Sequence, residues 1–412
     1  MKLISNYCGE TRLSISFFID RITPAALYFL PIGMMAAGAD KLQLSRYSLF
    51  YSLFASFSAL PLGFMTAVRY FSAGGNPLTF GSGLLVTGAA SLAAVAGYVC
   101  YFAFAVYVEG LYEYQSLFFL FAAAIPITAV YYAVSAYNEG RRQVALNNFC
   151  AAAAVPLLLL VYFSVSGLLG WEAAVAFAVA FLAVRCAMLG VIWSGRPPSA
   201  AADRKHAREI FDYGLYITAL FFIQKFVITV LLSFLKYSPA QVAAFQIITG
   251  YAMLLSLAAN AVFTHAFIAL AGQRAAEIGG ILAVACLNGA VVLLIALGLP
   301  LLGMKAGWLD VLDRDVLTLL RGNMGPVLVY TALEALMMAG ITLARGLGDK
   351  YRTQSAWCAG VVLYFLFDRR GIGIESCLYA FICGSVLSVA VALRQCQKRL
   401  GGMASKHGRI AG

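Results

Sequence analysis

VLVYTALEALMMAGITLARGLGDK, residues 327–350, is an apolar stretch with one carboxylate, Glu334, near its middle. It closes on a basic, glycine-rich corner, Arg345-Gly346-Leu347-Gly348-Asp349-Lys350. About 20 apolar residues, each rising ~1.5 Å, are enough to cross the ~30 Å hydrocarbon core of a bilayer. A charge at the centre of such a helix costs on the order of 2.5–3.5 kcal/mol by insertion scales, and is tolerated where it faces a wet cavity or a partner. Glu334 therefore has two readings: a functional carboxylate in a cavity, or one half of an ion pair that only holds helices together.

The rest of the chain follows the same pattern. It has 412 residues, 62% hydrophobic and only 11% charged, a balance that excludes a soluble domain. Apolar segments recur from end to end, as bilayer-spanning helices require. The sequence predicts an all-α integral membrane protein with twelve transmembrane helices, in contact with the lipid bilayer. The first half gives spans over roughly 14–39, 48–71, 82–108, 115–137, 144–166 and 171–194. The second gives roughly 211–235, 240–270, 279–303, 322–344, 353–367 and 373–394. Glu10, Arg12, Asp20 and Arg21 precede or interrupt the first apolar run, which argues against a cleaved signal peptide.

The net charge of +11 is spread over short loops and forms no basic groove with stacking aromatics, so no nucleic-acid partner is expected. Nine cysteines form no CxxC pair and read as small buried residues, neither disulfides nor metal ligands. No P-loop, GxSxG or HExxH occurs. The chain reads as no enzyme and carries no cofactor. Any transport would then draw on an ion gradient.

Lys and Arg set the orientation. Arg141, Arg142, Arg196, Arg204, Lys205, Arg208, Arg274, Arg345 and Arg352 fall in loops on one side, and Glu109, Glu113, Glu172, Asp310 and Asp315 in loops on the other. This predicts both termini in the cytoplasm, N-in/C-in, in the cell inner membrane, against the exceptions Arg369 and Arg370 and the weaker ones Lys41, Arg46 and Lys305. GRPPSAAADRKHAR, beginning at Gly195, reads as a cytoplasmic linker. The expected division is an N-terminal six-helix bundle over 1–194, a linker over 195–209, a C-terminal six-helix bundle over 210–400 and a basic tail over 401–412. The fourth span ends AVSAYNEGRR and the tenth ITLARGLGDK, each with a glycine and cations at the same corner. Six spans repeated in parallel is how many secondary transporters are built, with the substrate site near the midplane.

These corners carry a family resemblance. The chain resembles the multidrug and toxic compound extrusion (MATE) transporters, within the larger group that includes polysaccharide and lipid-linked oligosaccharide flippases. In that family an acid in the tenth span precedes the Arg of an RGxGD-like turn by eleven positions, as Glu334 precedes Arg345. Ala243-Ala244-Phe245-Gln246-Ile247 looks like the family's AxQI opening of the eighth span, and Gly371-Ile372-Gly373-Ile374 like the opening of the last. Two departures matter. A second acid that many members carry in the seventh span is replaced by Gln224, followed by Lys225. A first-span acid has its counterpart in Asp40, one position out of register and followed by Lys41. The resemblance implies a monomeric secondary exporter of two bundles, which moves a small-molecule substrate out of the cytoplasm by antiport with a cation.

A carboxyl group in an apolar cavity can gain and lose a proton as the cavity faces each side in turn. Sodium would need several convergent oxygen ligands, and no acidic cluster is evident, so the coupling ion expected at Glu334 is a proton before sodium. Thr331 lies three residues before Glu334 on the same helical face and is placed to donate to it. Lys225 either meets an anionic substrate, pairs with Glu334, or snorkels to an interface. Its position about fourteen residues into the span, at ~1.5 Å each, disfavours snorkelling. Gln224, Lys225, Thr331, Asp40 and Tyr137 are the expected cavity residues. Arg69 and Arg185 read as helix-end cations, or as attractants for an anionic substrate. Two rivals to cation antiport stay open: a flippase or exporter for a lipid-linked glycan or anionic metabolite, marked by a cavity lined mainly with cations, and a scaffold that transports nothing and has no cavity.

Overall fold

The computed structural model describes residues 27, 30–35, 41–109, 115–195, 201–235, 238–271, 275–307, 310, 312, 314–349, 351–368 and 371–408. The first expected span lies outside the described residues apart from helical positions at 27 and 30–35, and Asp40 lies outside them as well. Twelve helices follow: α1 (Lys41–Ala73), α2 (Thr79–Glu109), α3 (Gln115–Gly140), α4 (Ala145–Leu169), α5 (Ala173–Ser194), α6 (Arg204–Leu235), α7 (Pro239–Ala271), α8 (Ala275–Lys305), α9 (Arg314–Gly322), α10 (Met324–Gly346), α11 (Arg352–Phe367) and α12 (Ile374–Gly408). Among the described residues there is no strand. Ten of the helices are long and apolar enough to cross a membrane. The two left out are α9, an amphipathic helix of 9 residues that buries Val316 and Leu320, and α11, whose 16 residues reach ~24 Å.

Two boundaries differ from expectation. The linker was expected over 195–209, but α6 starts at Arg204. Asp203 accepts the backbone N–H of His206 at 2.9 Å, an N-cap that starts the helix inside the basic segment. The His206 ring then docks on the α1–α2 turn, 3.1 Å from the Thr79 hydroxyl. At the other end, α12 continues to Gly408, through much of the expected tail.

α1 is the central helix. It packs on α2, α3, α6 and α7. α3 packs on α5, and α5 on α4; α10 packs on α7, α8 and α12, and α12 on α11. The crossing of α1 and α6 is close because glycine faces a side chain twice. A Cβ on Gly63 would overlap Thr218, and one on Gly214 would overlap the Phe64 ring. Further along the same seam, the hydroxyls of Ser52 and Ser56 each lie 2.8 Å from that of Thr229. α6 thus bridges the bundle, lying mainly on α1 and α2 and making fewer contacts with α7 and α11.

The fourth and tenth expected spans, α3 and α10, end alike. Gly348 has φ +87°, its N–H bonds to the Arg345 carbonyl at 2.9 Å, and the Asp349 N–H bonds to the Ala344 carbonyl at 2.9 Å. This is a Schellman cap. α3 ends the same way with a non-glycine, Arg142 at φ 61°, where the N–H groups of Arg142 and Gln143 bond to the carbonyls of Glu139 and Asn138. The glycine just before each cap seats its helix on a neighbour. A Cβ on Gly140 would lie 2.7 Å from the Arg69 carbonyl of α1, and one on Gly346 3.1 Å from the Phe267 carbonyl of α7.

Candidate functional site

Between α1, α3, α6, α7, α10 and α11 lies a cavity of about 220 Å³. Glu334 projects into it from α10, Lys225 and Gln224 from α6, Arg69 from α1 and Arg345 from the end of α10. A second cavity of about 140 Å³ adjoins it and reaches α5. Tyr132, Phe221 and Lys225 line both. Arg185 of α5 lines the second. The walls hold four cations and one acid, Glu334.

Each charge has a different environment. Glu334 is buried, and the Ser385 hydroxyl donates to its Oε2 at 3.2 Å. Lys225 shares the cavity with Glu334 yet makes no ion pair with it within 4.0 Å. Arg69 is neutralised: its Nε lies 2.5 Å from Oε2 of Glu139, a residue with no exposed surface. Arg345 donates from Nη2 to Oε1 of Gln354 at 2.6 Å, and Gln354 donates in turn to Oε1 of Gln224 at 3.1 Å. Asp349 holds the start of α11 by accepting from the Thr353 N–H at 3.1 Å and hydroxyl at 2.8 Å. The RGLGD corner thus braces the end of the cavity, and Gln224 is tied to that corner.

Arg185 sits at the thirteenth position of the 22-residue α5 and is 3% exposed. It does not snorkel, as a helix-end cation would. Its Nη2 donates to the Tyr132 hydroxyl at 3.0 Å. Its guanidinium carbon lies 4.9 Å from the Tyr132 ring centre, 5.2 Å from Phe181 and 5.5 Å from Tyr131.

Two expected cavity residues lie elsewhere. Thr331 is fully buried and donates to the Leu328 carbonyl at 3.1 Å, not to Glu334. The back-bond within its own helix wins because that acceptor is always in reach. Tyr137 packs edge-on against Phe80 at 5.1 Å, below the Arg141 guanidinium, and lines neither cavity. Sequence reasoning missed Glu139, which looks like a loop acid in NEGRR. The available signal was its place one residue before the corner glycine, matching Arg345 before Gly346. For Arg185 the signal was the adjacent pair Tyr131-Tyr132 at mid-span. Among the described residues no three His, Cys, Asp or Glu side chains converge as metal ligands would.

By sequence no family model and no curated protein matches the chain. By structure its fold is that of the MATE transporters. It is similar to a MATE protein in the bent conformation, with TM-score 0.69 at 13% identity over 100% of both chains. It is similar to an outward-facing multidrug resistance MATE family transporter of the MOP superfamily, with TM-score 0.67 at 13% identity over 97% of both. It is also similar to the eukaryotic MATE transporter AtDTX14, with TM-score 0.64 at 12% identity, over 96% of this chain and 99% of that one.

Proposed function

We propose that the chain is a secondary exporter that moves a small organic substrate out of the cytoplasm through its central cavity, by antiport with a cation. The observation that carries this reading is Glu334: it is the single acid on the walls of a cavity between helices of both halves, and it makes no ion pair with Lys225. A carboxylate held this way can take a proton when the cavity faces one side and give it up on the other. The absence of convergent acids among the described residues favours a proton over sodium, a hard cation that needs several oxygen ligands around it. In this reading residues 1–194 and 210–400 rock about the cavity, and the corners at Gly140 and Gly346 face the cytoplasm of a cell with an inner membrane.

Lys225 and Arg185, wall cations with no ion pair within 4.0 Å, favour a second reading of the substrate, an anionic or lipid-linked one, over an organic cation. The cavity itself speaks against a scaffold that transports nothing. The test is flux in proteoliposomes under an imposed pH or sodium gradient, using a fluorescent organic cation and a fluorescent organic anion, with wild type and Glu334→Gln side by side. Proton-driven flux of either probe, lost in the variant, is the expected result. Unchanged gradient-driven flux in Glu334→Gln would remove the coupling role.

A further inference from the structure

We infer that the smaller cavity is an anion-binding site, and that Arg185 receives the carboxylate or phosphate group of an organic anion. The inference deepens the exporter reading and rests on it for the anion's passage across the membrane, while the binding itself does not need transport.

The first ground is the state of Arg185. A guanidinium stays charged in proteins, so burial cannot be relieved by losing a proton. A buried charge without a counter-ion is costly. Three aromatic rings and one hydrogen bond offset part of this cost. No carboxylate among the described residues pairs with it, and its Nε and Nη1 have no hydrogen-bond partner. Arg69, a cation of similar burial, shows what a structural solution looks like in this bundle: a buried glutamate beside it.

The second ground is the rest of the wall. Lys225 faces the same cavity from α6. The hydroxyls of Ser58 and Thr128 line it too, and both are buried without a partner. Four residues that carry donors therefore line one space of about 140 Å³, and no acid is among its lining residues. Tyr51, Phe54 and Phe221 supply an apolar, aromatic remainder. A charge-assisted bond to each of these donors is what an anionic head group provides. An organic cation would meet two like charges there.

The two lobes then differ at matching places, a neutral threonine standing in one where the other has the acid. Thr128 lies twelve residues before the corner glycine of α3, and Glu334 twelve before that of α10. The coupling acid lies in one lobe, and the cation with an unmet donor set lies in the other.

The test is equilibrium dialysis of the full-length protein in detergent against three probes of one shape: labelled benzoate, neutral benzamide and cationic benzylamine. Wild type is expected to hold benzoate about tenfold or more above benzylamine. Arg185→Gln should weaken benzoate by about tenfold while leaving benzylamine within about twofold, and Arg185→Lys should recover part of the loss. Should Arg185→Gln not fold, Ser58→Ala carries the test, with an expected loss of about threefold for benzoate alone. Farnesyl phosphate and unlabelled benzoate as competitors distinguish a lipid-borne anion from a soluble acid, according to which displaces the label at lower concentration. The inference is overturned if benzylamine binds more tightly than benzoate. It is equally overturned if benzoate shows no saturable binding up to about 10 mM, or binds the Arg185 and Ser58 variants as it binds wild type. Arg185-dependent binding without gradient-driven flux of any probe would keep the site and remove the exporter reading. Flux that needs Glu334 but no Arg185-dependent binding would do the reverse.

Discussion

Removing the carboxylate of Glu139 should destabilise the bundle more than removing its whole ion pair. Glu139 has no exposed surface, Arg69 is 6% exposed, and their charged atoms are in direct contact. Glu139→Gln keeps the volume of the side chain and takes the carboxylate away from the buried Arg69 guanidinium, which has the Phe267 ring 6.0 Å away and the cavity beside it. Breaking a buried pair from one side typically costs 3–5 kcal/mol, whereas replacing both members by uncharged groups of similar size is often close to neutral. Arg69 borders the cavity, where water can reach part of it, so the lower end applies and about 3 kcal/mol is expected. The double variant Arg69→Met/Glu139→Gln should recover most of that loss, to within about 1 kcal/mol of wild type. The assay is reversible unfolding in detergent micelles titrated with dodecyl sulfate, run on wild type, both single variants and the double variant as a cycle. A Glu139→Gln protein as stable as wild type would show that Arg69 is solvated through the cavity and that the pair carries no buried charge. A double variant less stable than either single one would refute the desolvation argument itself.

Gly140→Ala places a Cβ 2.6 Å from Cβ of Ser72 and 2.7 Å from the Arg69 carbonyl, so α3 must move off α1. A loss of about 1–3 kcal/mol is expected in the same unfolding assay, together with a weaker effect for Gly346→Ala, whose nearest contacts are at 3.1 Å. Asp349→Ala removes the acceptor for Thr353 N–H and hydroxyl and for Arg352 N–H. It should cost about 1–2 kcal/mol and appear first as faster amide exchange in the opening turn of α11.

The membrane class and nearly every span past residue 41 were legible in the sequence. A bilayer demands about 20 apolar residues per helix whatever the helix touches, so composition alone marks the segments. Glu334 and Lys225 were legible for the same reason, since a charge at mid-span stands out against its own helix. The turn chemistry at Gly348 was legible as well, because a left-handed cap is a local requirement for glycine. Arg142 shows the limit of that rule: the same cap forms at φ 61° without one.

Pairings across helices were not legible. Arg69 meets Glu139, Arg185 meets Tyr132, and Gln354 meets both Arg345 and Gln224, over separations that no periodicity encodes. Thr331 and Tyr137 were expected in the cavity from local reasoning, and tertiary packing turned one to its own backbone and the other to Phe80. By itself, then, the sequence determined that the chain is a helical membrane bundle, where most spans past residue 41 lie and that Glu334 and Lys225 sit within them, because the bilayer acts on each helix separately. Only the tertiary structure decided which of those charges are neutralised and which are left facing a cavity, because burial and counter-ions are properties of helices packed together.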